Sequence, residues 1–112
     1  MAAHVGRIGG EMSQVSLIVK LVAAEGKRDD LAKAFSAAYE HVEKEAGTRY
    51  YILHEDMADA NALWIYEMYE SAEAQVAHGS ADWFKPFQKG LAPFIGGPAE
   101  FHGIKPISGK GL

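Results

Sequence analysis

The chain has 112 residues, with 11 basic and 15 acidic side chains, no cysteine and 48% hydrophobic residues. Such a length suits a single domain that buries roughly 65% of its unfolded surface, and the lack of cysteine excludes disulfide scaffolds, iron–sulfur clusters, thiol nucleophiles and cysteine zinc sites. A net charge of −4 lacks the basic excess of a nucleic-acid binder. No apolar run approaches the ~20 residues of a membrane span, and no signal-peptide pattern opens the chain, so a cytoplasmic protein with no membrane partner is expected.

Residues 1–14 follow neither the helical nor the strand period. Gly6, Gly9 and Gly10 add backbone entropy there with no apolar face to offset it, so this stretch reads as a flexible arm. The alternative is a strap that orders against a partner subunit. Residues 15–22 (VSLIVKLV) form the first predicted strand, with Val15, Leu17, Val19 and Leu21 on one face. Residues 27–46 switch to the helical period: Leu31, Phe35, Ala38 and Val42 recur at spacings of three and four. Glu40, Glu43 and Glu45 read as a solvated helix face, and Gly47 as the helix stop.

Residues 48–55 (TRYYILHE) and 63–70 (LWIYEMYE) are rich in β-branched and aromatic types and flank a polar turn, which predicts a hairpin. Ser71 reads as the N-cap of a short helix that ends at His78. After Gly79 and Ser80, a second helical segment over residues 81–94 carries the stripe Phe84, Phe87, Leu91 and Phe94. Residues 100–107 form the last predicted strand, and residues 108–112 a tail. The order β-α-β-β-α-β over residues 15–107 is that of an α+β, ferredoxin-like domain with a four-stranded antiparallel sheet.

Two helices cover one face of such a sheet, and the other is normally polar. Here the uncovered face would carry Ile18, Tyr50, Ile52, Trp64, Tyr66 and Met68, several hundred Å² of apolar and aromatic surface. Two-fold pairing of the sheets into a homodimer is the simplest closed solution.

Glu67 sits mid-strand with Leu63, Ile65 and Tyr69 on its face, where a carboxylate is costly unless paired. It reads either as a substrate-binding or basic group, or as a tie between strand and helix. His78, at a helix end, reads as a proton donor and acceptor near neutral pH, or as a cap. Tyr51, Tyr69, Phe84, Phe87 and Gln88 either line a substrate cavity between sheet and helices or simply fill the core. The five histidines show no metal-ligand spacing, so no metal is expected.

The stretches EAGTRYY (45–51) and YEMYESAEA (66–74), with His78, Ser80, Phe84 and Gly97-Pro98, resemble the antibiotic-biosynthesis monooxygenase domain of the dimeric α/β-barrel superfamily, in its quinol-monooxygenase-like branch. The resemblance spans about residues 15–107. It implies a homodimer, a pocket between each sheet and its own helices, and oxidation of quinols or polycyclic phenols with molecular oxygen and no metal, flavin or haem. It also implies that Glu67 and His78 are catalytic. Val19, His78 and Gln88 depart from the haem-degrading members, and Ile65 and Tyr69 from the polyketide-oxidising ones. The same resemblance leaves two other readings open. One is an isomerase of a small phosphorylated carbonyl compound, of the autoinducer-2-processing type, with Lys85 and Lys89 as candidate phosphate partners. The other is a non-catalytic dimer that binds a hydrophobic ligand.

Overall fold

A computed structural model describes residues 13–112. The elements are β1 (Val15–Val22), α1 (Arg28–Phe35), α2 (Tyr39–Val42), β2 (Thr48–Glu55), β3 (Ala62–Tyr69), α3 (Ala72–Gly79), α4 (Phe84–Leu91) and β4 (Glu100–Ile104). Except for Ser13 and Gln14, the expected N-terminal arm lies outside the described residues. The strands form one antiparallel sheet in the order β2-β3-β1-β4, the ferredoxin-like α+β arrangement that the element order predicts. No helix among the described residues is long and apolar enough to cross a membrane.

Directly opposed residues of antiparallel strands share a face. Val19 lies opposite both Ile65 and Phe101, Leu17 opposite Glu67, Tyr51 opposite Glu67, and Leu53 opposite Ile65. Val19, Leu21, Leu63 and Ile65 from this face pack with Leu31 and Phe35 of α1 and Leu91 of α4 in the buried core. The other face carries the six residues expected there. Tyr50 and Ile52 are exposed and Ile18, Trp64 and Tyr66 half-buried, while Met68 is buried.

Three local features differ from the sequence reading. The single helix expected over residues 27–46 breaks into α1, a 3-10 turn at Ser36–Ala38, and α2. The Ser36 hydroxyl donates to the Lys33 carbonyl at 2.6 Å, a bond within the turn that bends a helix. β4 ends at Ile104, three residues early, just before Lys105-Pro106, where proline cannot donate to the ladder. Gly47 does not stop a helix through a left-handed conformation. It is a point of close approach: a Cβ there would lie 2.6 Å from the Cβ of Ala74 on α3.

A β-bulge at Arg49 settles the start of β2. The pairing jumps from Thr48 opposite Tyr69 to Tyr50 opposite Met68, so one extra residue is inserted. Without it, strict alternation from Tyr51 would put Thr48 on the uncovered face. With it, Thr48 shares the helix-covered face with Tyr69.

Because the obstructing Ala74 Cβ is fixed to the helix backbone, Gly47→Ala must push α3 away from β2. The expected cost is roughly 1–3 kcal/mol of stability, read as a lower midpoint in urea unfolding.

Candidate active site

Between the helix-covered face and the helices lies a half-open cavity of about 180 Å³. Tyr51, Glu67, Tyr69, His78, Phe84, Phe87 and Gln88 all line it, so the structure brings together the seven residues that the sequence offers as catalytic or ring-binding. Leu17, Val19, Ile65 and Leu91 add apolar wall, and Gln75 adds a further amide. The volume lies below the roughly 300–1,000 Å³ typical of sites for drug-sized ligands. It suits one or two rings.

Each side chain arrives for a local reason. Glu67 and Tyr69 are two apart on β3 and therefore point the same way, with Tyr51 opposite Glu67 on β2. α3 begins at Ser71, whose hydroxyl oxygen accepts from the Ala74 amide at 3.1 Å, the expected N-cap. One helix length later it delivers His78, only 5% exposed, to the cavity wall. Phe84, Phe87 and Gln88 come from one side of α4.

The titratable groups form two separate hydrogen-bonded pairs. In the first, the Tyr69 phenol donates to Glu67 Oε1. Burial pushes the Glu67 carboxyl above its ordinary range, and the Tyr69 bond partly opposes this. Burial, reinforced by the nearby Glu67 charge, pushes the Tyr51 and Tyr69 phenols strongly upward, so both remain protonated hydrogen-bond donors.

In the second pair, His78 Nδ1 lies 2.9 Å from Glu45 Oε1. Thr48 Oγ1 donates to the same oxygen at 2.8 Å, and the Trp83 indole N–H donates to Glu45 Oε2 at 3.2 Å. The imidazole sits among the rings of Tyr51, Tyr69, Trp83 and Phe84, with centroids 5.1–5.4 Å away. Trp83 in turn stacks on His41 at 4.8 Å.

Glu45 corrects the sequence reading. It does not belong to a solvated helix face, because α2 ends at Val42 and the chain turns through hydrogen bonds from the Glu45 amide to the Val42 carbonyl and from the Thr48 amide to the Glu45 carbonyl. The turn carries the carboxylate inward. Trp83 was also missed, since it precedes α4 and lies off the aromatic stripe. The available signal was the pair Glu45 and Thr48, an acid and a hydroxyl three residues apart around Gly47 at the entry to a strand. Lys85 and Lys89, the candidate phosphate partners, are exposed and do not line the cavity.

A ferredoxin-like domain with an aromatic cavity, a buried imidazole and paired carboxyl groups defines a class of small α+β proteins with a ligand-sized chamber under the sheet. Within that class, the chain belongs to the antibiotic biosynthesis monooxygenase family, whose model matches residues 14–90. It is similar to a solved structure from Chloroflexus aurantiacus J-10-fl, described as a candidate antibiotic biosynthesis monooxygenase, at 29% identity over 88% of this chain and 98% of that one, with a TM-score of 0.73. A protein with the same description from Caulobacter crescentus CB15 shares the fold at 20% identity over 88% and 93% of the two chains, with a TM-score of 0.81. So does a Mycobacterium tuberculosis protein at 22% identity over 88% and 99%, with a TM-score of 0.77. No curated protein matches the sequence.

The Glu67 shift has a sign that can be measured. Its carboxyl binds a proton more tightly in the folded chain than in the unfolded one, where the ordinary value is 4.5. Stability therefore falls as pH rises from that value through the folded one, and ionisation of the buried group is the cost. Glu67→Gln keeps an acceptor for Tyr69 and removes that cost. Thermal melting should show a higher midpoint than wild type at neutral pH, with the gain vanishing in acid.

Proposed function

We propose that the chain is a cofactor-independent monooxygenase of a small electron-rich aromatic, a quinol, and that it works as a homodimer. The observation that carries this reading is a buried imidazole in the wall of an aromatic cavity sized for one or two rings. Such a chamber strips water from the ring, so a positioned base determines the ionisation of a bound phenol. His78 takes the phenolic proton. The phenolate passes an electron to molecular oxygen, and the two radicals join to form a carbon–oxygen bond. His78 returns its proton to the oxygen adduct. Loss of water then leaves a hydroxyquinone, so that one quinol and one O₂ give one hydroxyquinone and one water. The ring supplies all the reducing electrons.

Tyr51 and Tyr69, held protonated, orient the ring by donating to its oxygens, and Phe84 and Phe87 pack its faces. Glu67 orients Tyr69 through their hydrogen bond. The cavity presents ionisable groups, which a pure hydrophobic-ligand binder has no need to bury. Among the described residues its lining includes no lysine or arginine for a phosphate, which an isomerase of a phosphorylated compound would use.

The dimer reading rests on the uncovered sheet face. Tyr50 is 47% and Ile52 45% exposed, beside the half-buried rings of Trp64 and Tyr66. Covering such a surface contributes about 25 cal/mol per Å² before the entropic cost of association.

Oxygen consumption with reduced benzoquinones and naphthoquinones tests the reaction. Wild type should consume oxygen, and His78→Ala should lose roughly 100-fold or more in turnover. No uptake with any quinol would overturn the reading. Sedimentation at micromolar concentration tests the assembly: wild type should run as a dimer, and Ile52→Lys, which puts a charge in the middle of the paired faces, should shift it to monomer.

A further inference from the structure

The imidazole of His78 is the partition between two spaces. On one side is the 180 Å³ cavity, and on the other an outer groove of about 410 Å³ that Glu45, Thr48 and Trp83 also line. Its Nδ1 edge faces Glu45 on the groove side. Among the described residues no fully buried side-chain nitrogen or oxygen lacks a hydrogen bond. Nε2 has no hydrogen bond among the described residues, so it is not sealed in, and of the two spaces the ring lines the one without Glu45 is the cavity.

We infer that Glu45 is the positioning residue for His78, holding the imidazole with its proton on Nδ1 and its Nε2 lone pair directed into the cavity. This rests on the reading of His78 as the base. The donors around the carboxylate set the direction of the bond. An indole N–H can only donate, so Oε2 accepts from Trp83. Oε1 already accepts from Thr48. The Glu45 side chain is 20% exposed toward the groove, so its charged form keeps some hydration while the histidine side chain, at 6%, has little. Nδ1 therefore supplies the proton of the bond, and the neutral ring has its lone pair at Nε2. When a substrate O–H bond breaks and its proton moves to Nε2, both nitrogens carry protons, and the imidazolium lies against a carboxylate that was in place beforehand. The proton returns from Nε2 to the reaction product, and no proton has to cross to Glu45. The same division of labour, a base that moves the proton and a carboxylate that orients it, underlies hydrolytic triads.

Nitrogen-15 NMR of the resting protein decides the inference without turnover. The His78 ring should show the Nδ1–H tautomer in wild type, and an Nε2–H tautomer would overturn the assignment. In Glu45→Gln, whose amide can either donate or accept, the tautomer preference should be lost. Oxygen uptake with a naphthoquinol should then fall roughly 10- to 100-fold in kcat with KM little changed. Unchanged tautomer and turnover in that variant would equally overturn it. Glu45→Asp keeps a carboxylate, and it should retain the Nδ1–H tautomer and more of the turnover than the Gln variant, which a purely structural role for Glu45 would not produce. If wild type consumes no oxygen with any quinol, the function fails while the tautomer measurement still decides the role of Glu45.

Discussion

A single carboxylate organises this site. Hydrogen bonds tie Glu45 to the first residue of β2, three residues on, and across more than 30 residues to the last turn of α3 and the residue before α4. Two backbone features make the convergence possible. The bulge at Arg49 turns Thr48 toward the helices, and Gly47 lets α3 approach until Ala74 occupies the space a side chain would need. Charge-assisted bonds of this kind are stronger than neutral ones, so the arrangement holds the imidazole in one orientation rather than among several.

The two acid groups near the cavity act on different partners, and the separation has chemical consequences. Glu67 is spent on Tyr69, deep in the sheet, where burial resists its charge. Glu45 stands at the edge of the outer groove, where some hydration remains. One small chamber thus has a buried carboxyl bonded to Tyr69 on its floor and a second, partly hydrated carboxyl behind its histidine.

The sheet contributes through both faces. Alternation along β1, β2 and β3 puts apolar side chains toward the helices and again toward the outside, so the layer that builds the cavity floor also carries aromatic side chains on its outer face. At the hairpin end of that outer surface the Trp64 indole donates to Asp56 at 2.8 Å. That bond and the Ala58 and Asp59 amides hold the Asp56 carboxyl at about 2, below its ordinary 3.8, so the turn is an anchored structure rather than a merely solvated one.

Period-two alternation made the strands legible directly in the sequence: the predicted limits of β1 and β2 coincide with those observed, and β3 is displaced by one residue. Tyr51, Glu67 and Tyr69 were legible as sharing one face for the same reason, since face and spacing along a strand are local properties, whereas whether they line a cavity or fill the core was not. The break in the long first helix was less so, because it depends on a hydroxyl bonding back within its own turn. Sequence alone thus determined the βαββαβ order, the doubly apolar sheet, and the shared face of Glu67 and Tyr69 on β3, while the side to which His78 turns was decided by the fold. Only the tertiary structure decided which acid serves the histidine. Glu45 and His78 are 33 residues apart, and their meeting depends on a bulge and a helix–strand approach that no local periodicity encodes.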